Sequence, residues 1–124
     1  METSIVQLFC AVLVVCSFGE GVYAKCNLGD IQITQTPTGK KVTIADEFLV
    51  TVKNNCPCTL RNVILDCTGF STFENIDPAI LIENGKQECT LLQKQPFLGH
   101  ATVQFKYAYL FQRPLKPKRA QSYC

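Results

Sequence analysis

Ala101-Thr102-Val103-Gln104-Phe105-Lys106-Tyr107-Ala108-Tyr109-Leu110-Phe111 is the stretch from which the fold is read. Ala101, Val103, Phe105, Tyr107, Tyr109 and Phe111 fall on alternate residues, with Thr102, Gln104, Lys106 and Ala108 interleaved. A period of two places the apolar set on one side of an extended chain, so the pattern predicts a long strand with one face in a core. Upstream, Phe48, Val50 and Val52 share a face before Asn54-Asn55-Cys56-Pro57 turns the chain. Val63, Leu65 and Cys67 alternate with Asn62, Ile64 and Asp66, and shorter pairs follow at Ile31/Ile33, Val42/Ile44, Ile80/Ile82 and Cys89/Leu91. Turn chemistry separates them at Thr36-Pro37-Thr38-Gly39, at Asn84-Gly85 and from Pro96 to Gly99. Asn84-Gly85 between two apolar runs predicts a hairpin with positive φ at both central residues. No window longer than about ten residues has helical periodicity. The chain therefore reads as all-β, an antiparallel β-sandwich of about seven short strands, with a closed barrel as the alternative.

The chain has 124 residues, 47% apolar and 18% charged, with eight cysteines and no Trp, which is room for one small domain. Its start is of a different kind. The run from Ile5 to Phe18 is apolar, and no Lys or Arg occurs among residues 1–24. At roughly 14 residues it is shorter than the about 20 that span a bilayer. Gly19-Glu20-Gly21 breaks it, and Val22-Tyr23-Ala24 has the small-residue pattern of a cleavage site, so residues 1–24 are expected to be an export signal. Residues 25–124 are then the single mature domain, secreted to the cell exterior without a membrane span.

Cys10 and Cys16 leave with the signal, and Cys26, Cys56, Cys58, Cys67, Cys89 and Cys124 remain. An even set in a small exported chain predicts three disulfides stapling the β-framework. The rival is a metal site at Cys56-Pro57-Cys58 with Cys67. One residue between paired thiolates is too few for the usual zinc spacing, the single His100 is remote, and export oxidises free thiols. A bond between Cys56 and Cys58 would close a very small strained ring, so each is expected to reach a distant partner. Cys67 with Cys89 is the favoured pair, which leaves Cys26 and Cys124 for the Cys56/Cys58 corner in an order left open. No metal or other cofactor is expected.

Chemistry is sparse. His100 stands beside Gly99 without a second imidazole, and Ser71 and Ser122 lie in no nucleophile elbow. Asp46 and Glu47 are adjacent and on a strand point to opposite faces. There is no Gly-rich phosphate loop and no βαβ pattern for a nucleotide sugar. A binding protein is expected rather than an enzyme. No Asn-x-Ser/Thr sequon is present.

Charge is unevenly placed. All twelve basic residues but only eight of the ten acids lie beyond Ala24, a net +4 and far from a nucleic-acid-binding composition. From Lys25 to Glu88 the balance is −2, whereas from Cys89 onward six basic residues stand with no acid. Four of them, Arg113, Lys116, Lys118 and Arg119, lie in Arg113-Pro114-Leu115-Lys116-Pro117-Lys118-Arg119, where two prolines favour an extended backbone. Such a segment suits an acidic protein surface or an acidic cell-wall polysaccharide.

Cys26-Asn27-Leu28-Gly29-Asp30-Ile31-Gln32-Ile33-Thr34-Gln35, Val50-Thr51-Val52-Lys53-Asn54-Asn55-Cys56 and Asn62-Val63-Ile64-Leu65-Asp66-Cys67-Thr68-Gly69-Phe70 carry a resemblance. With Asp77-Pro78, Phe105-Lys106-Tyr107-Ala108, Pro114-Leu115 and the closing Gln121-Ser122-Tyr123-Cys124, they make the chain similar to the plant TAPETUM DETERMINANT family of small secreted cysteine-rich proteins. The resemblance implies an apoplastic signalling protein, a ligand for the ectodomain of a leucine-rich-repeat receptor kinase in cell-fate determination of the anther and tapetum type. Candidate receptor contacts are Arg113, Lys116, Lys118 and Arg119 with the loop after Cys67, at Gly69, Phe70 and Phe73. For the two phenylalanines, packing in the core is the favoured role. The alternative function is an extracellular, wall-associated carbohydrate-binding module without catalytic activity.

Overall fold

A computed structural model describes residues 26–124 apart from Lys86; the expected export signal and its cleavage site lie outside the described residues. A short 3₁₀ turn, Leu28–Asp30, precedes seven strands: β1 Ile31–Val42, β2 Ala45–Asn54, β3 Thr59–Asp66, β4 Leu81–Glu83, β5 Glu88–Leu91, β6 Thr102–Tyr109 and β7 Lys116–Tyr123. They form two antiparallel sheets, one ordered β1-β2-β6 and the other β4-β5-β3-β7. The fold is all-β and sandwich-like. Among the described residues no helix is long and apolar enough to cross a membrane.

The alternation that predicted β2 and β6 sets their register. Phe48 stands opposite Tyr107, Val50 opposite Phe105 and Val52 opposite Val103. Their side chains meet Leu60, Val63, Leu65, Leu81, Leu91 and Leu115 of the other half in one core, which Phe70 and Phe97 complete. Burying each large apolar side chain stabilises the domain by about 1.5–3 kcal/mol relative to exposure. Tyr107 is fully buried between Phe48 and Phe70, whose ring centroids lie 5.3 and 4.9 Å from its own.

The three disulfides are Cys26–Cys56, Cys58–Cys124 and Cys67–Cys89, with Cα separations of 5.6, 4.7 and 5.9 Å. The last joins β5 to the end of β3. The first two converge on the β2–β3 corner and tie both ends of the described chain to it. Asn54 organises that corner from a fully buried position. Its Nδ2 donates to the carbonyls of Cys58 at 3.0 Å, Leu98 at 3.1 Å and Phe97 at 3.2 Å, and its Oδ1 accepts from Cys56 N–H at 3.0 Å. Gly99 lies so close to Pro57 that a Cβ there would overlap the proline carbonyl.

Several sequence expectations are corrected. Ile31, Ile33 and Val42 belong to a single twelve-residue strand, not to two short ones, and Ile44 stands exposed in the turn after it. Thr36-Pro37-Thr38-Gly39 does not end the strand; the ladder shifts register between Pro37 and Lys41 as Gly39 takes φ 85°. The loop between β4 and β5 holds four residues rather than two. Asn84 N–H closes it on the Glu88 carbonyl at 2.8 Å, and Gly85 takes positive φ while Asn84 does not. Phe111 leaves the core face, because β6 ends at Tyr109 and the chain departs, so its ring is 53% exposed. The proline-containing basic segment is extended, as its two prolines predict, and it is built into a sheet. Its larger part is β7, an edge strand paired with β3, where Asp66 faces Lys116 and Ile64 faces Arg119.

Candidate interaction surface

The four basic candidates do not share one environment. On the outer face of the four-stranded sheet, Glu88 of β5 faces across β3 toward β7. Arg119 donates to both of its carboxylate oxygens, at 3.0 and 2.8 Å, and Lys118 Nζ lies 2.8 Å away. The two cations hold the Glu88 carboxyl down to about 2. Lys118 and Arg119 thus share one internal counter-charge, which leaves a net +1 at the trio. Lys116 is exposed opposite Asp66, whose carboxylate accepts from the hydroxyl and N–H of Thr68, at 2.6 and 3.1 Å, and is shifted downward chiefly by them.

Arg113 is placed differently, ahead of β7. Its N–H donates to the Tyr107 hydroxyl at 2.9 Å, its carbonyl accepts from Gln35 Nε2 at 2.7 Å, and the Tyr107 hydroxyl donates to Gln35 Oε1 at 2.5 Å. Burial in this closed network pushes the Tyr107 phenol upward. The Arg113 side chain lies over Gly69, where a Cβ would overlap the guanidinium, and its Cζ stands 5.0 Å from the Phe111 ring centroid. Gly69 takes φ 73°, so this position needs glycine both for its backbone and for the cation above it.

The structure therefore brings Gly69 and Arg113 together and sets Lys118 and Arg119 on a separate face. Phe70 is only 9% exposed and supports the loop from beneath, against Tyr107. Phe73 is 50% exposed and reaches Tyr109 at 5.7 Å between centroids; Tyr109 in turn meets Phe111 at 5.3 Å. The sequence reading placed Tyr109 and Phe111 on the core face; Tyr109 does pack against the core, but Phe111 does not, and the row was missed. The signal available was the end of alternation at Leu110, followed by Arg113 and Pro114.

Two carboxyls also meet that looked unrelated in the sequence. Glu47 of β2 is 2% exposed, accepts from the Thr38 hydroxyl at 2.7 Å and has Lys40 Nζ at 4.0 Å. Glu74, in the loop between β3 and β4, lies beside it, and its own Oε1 is buried without a hydrogen-bond partner. The Thr38 hydrogen bond draws Glu47 downward, and burial beside a second carboxyl draws Glu74 upward. The two carboxyls disfavour each other's charge, so one of them is drawn toward its protonated form.

Other sites are limited. The Sγ atoms of Cys26, Cys58 and Cys124 lie within 4.8 Å of one another because two disulfides adjoin, and bonded sulfurs offer no thiolate to a metal. His100 is exposed at the entry to β6 with φ 62°. A cleft of about 250 Å³ between the 3₁₀ turn and β7 is lined by Leu28, Ile31, Leu60, Lys118 and Arg119, smaller than pockets that enclose organic ligands.

No curated protein and no solved structure matches the chain. Residues 27–124, nearly everything the structure describes, match the family described as Tapetum determinant 1, C-terminal, and the chain belongs to that family.

Proposed function

We propose that the chain is a secreted, non-catalytic signalling protein, a ligand for the ectodomain of a leucine-rich-repeat receptor kinase in plant cell-fate determination of the tapetum type. The observation that carries this is the family match across residues 27–124. The framework suits the role. Two sheets and three disulfides present a rigid surface that loses little conformational freedom on docking, and a repeat solenoid offers an extended concave face to receive it. The export signal expected at residues 1–24 would deliver it to the apoplast, where three disulfides persist. Arg113 and Lys116 are the basic candidates left to speed encounter with an acidic face, because Glu88 occupies Lys118 and Arg119.

The test is an interaction screen of the oxidised mature protein, with the reduced protein as control, against a panel of leucine-rich-repeat ectodomains. Saturable binding by the oxidised form alone is the expected result. No binding to any ectodomain at micromolar concentration would overturn the proposal.

A further inference from the structure

Phe73, Tyr109 and Phe111 form a continuous row of rings that ends on the guanidinium of Arg113. Phe73 and Phe111 are half exposed, and neighbouring Leu110 is 51% exposed, although the interior holds a well-filled core. A row of rings left at the surface marks a surface that is covered in use.

Arg113 supplies the second observation. Lys40 lies near Glu47, Lys41 pairs with Asp46, and Lys118 and Arg119 pair with Glu88, whereas Lys53, Arg61, Lys94, Lys106, Lys116 and Arg113 have no ion pair among the described residues; of these, Arg113 is set apart by its ring contact and its fixed main chain. Among the described residues no carboxylate lies within ion-pair distance of Arg113, and its buried Nε has no hydrogen-bond partner. This cation is nevertheless held in place. Tyr107 and Gln35 fix its main chain, Gly69 makes room beneath it, and Phe111 lies against its planar group. A positioned guanidinium with no counter-charge suits a carboxylate from outside, taken at its terminal nitrogens and not at the buried Nε.

We propose that Phe73, Tyr109, Phe111 and Arg113 form the docking surface for a partner protein that places a carboxylate on Arg113 and apolar side chains along the rings. This names the contact surface for the receptor-ligand function proposed above and in that respect rests on it. Aromatic and arginine anchors of this kind dominate the energetics of protein interfaces. Neighbouring rings in the row are inclined by 58° and 61°, so they do not form one flat platform for a sugar. A polyanionic polysaccharide would be served by lysines alone and would not need the exposed Leu110.

The experiment uses the oxidised mature protein and a defined probe, the peptide acetyl-Leu-Asp-Phe-Asp-Leu-amide, followed by NMR. Its Asn-for-Asp counterpart and an oligogalacturonate serve as comparisons. Saturable shifts at residues 69–73 and 109–113, weakened about tenfold by Arg113→Gln or by the Asn peptide, are expected. Arg113→Gln keeps both main-chain hydrogen bonds, and Phe111→Ser changes an exposed ring, so both variants should retain the wild-type fold. Shifts centred on residues 116–123, no saturable shift at about 5 mM peptide, or equal response to oligogalacturonate would overturn the proposal. The same variants on an ectodomain that binds the wild type separate the two claims. Unchanged binding removes this surface and leaves the receptor-ligand function standing, whereas peptide shifts at the row with no ectodomain bound do the reverse.

Discussion

Replacing Asn54 with Leu tests how the corner that gathers two disulfides is held. The side chains share their branching and number of heavy atoms, Leu being the larger, so the change removes hydrogen bonds without opening a cavity and adds some overpacking. Asn54 makes four contacts to main-chain groups, three from Nδ2 and one to Oδ1. Two of the carbonyls it serves keep another donor, since Leu60 N–H reaches the Phe97 carbonyl at 2.8 Å and Ala101 N–H reaches the Leu98 carbonyl at 3.1 Å. The buried Cys56 N–H instead loses its acceptor, at a cost of about 1–3 kcal/mol, and the remaining lost bonds cost about 0.5–1.5 kcal/mol each. Greater apolar burial by Leu offsets part of this. The expected net loss is about 3 kcal/mol, or about 10–20 °C in midpoint for a domain of this size. Urea unfolding of the oxidised proteins measures it. Asn55→Ala is the matched control, because Asn55 is exposed and makes one side-chain bond to Gln32, at 3.2 Å; it should change stability by less than about 0.5 kcal/mol. A loss below about 1 kcal/mol for Asn54→Leu, or equal losses at the two positions, would refute the reasoning.

Tyr107→Phe should cost about 2–3 kcal/mol in the same assay, because it leaves Arg113 N–H and Gln35 Oε1 without the hydroxyl they share; an unchanged midpoint would show that the network does not hold Arg113. Glu88, held to about 2, stabilises the fold fully above its ordinary value of 4.5 and loses that contribution as pH falls toward 2, so Glu88→Gln should flatten acid unfolding in that window. Glu74 has the opposite sign. Its raised carboxyl favours the folded state at low pH, and the contribution is lost as pH rises through the folded value, above 4.5. Glu74→Gln should remove that decline and slow hydrogen exchange in the loop at neutral pH; an unaltered pH profile would count against the coupling of the two carboxyls.

The strands buried on one face were legible because alternation records burial directly. Phe48, Val50 and Val52 on β2 and Phe105 and Tyr107 on β6 are examples. Strand β7 was not legible, since Lys116, Lys118, Arg119 and Pro117 resemble a solvated tail. It is an edge strand with one neighbour, where a missing proline N–H is tolerated on the open side and charged residues discourage further pairing. The charge asymmetry beyond Cys89 was visible, but its partial offset was not, because Glu88 reaches Lys118 and Arg119 only across a sheet. Likewise, contacts between Tyr107, Gln35 and Arg113 depend on topology rather than spacing. Gly69 could be singled out in the sequence; that it underlies Arg113 could not.

The central claim is that this family member acts as a protein ligand through the surface where Gly69, Phe73, Tyr109, Phe111 and Arg113 meet. Hydrogen exchange of the oxidised protein, free and bound to a leucine-rich-repeat ectodomain, tests it most directly. The account predicts slowed exchange at residues 69–73 and 107–113 on binding, with little change at 116–123. Protection confined to 116–123, or none with any ectodomain, would contradict it.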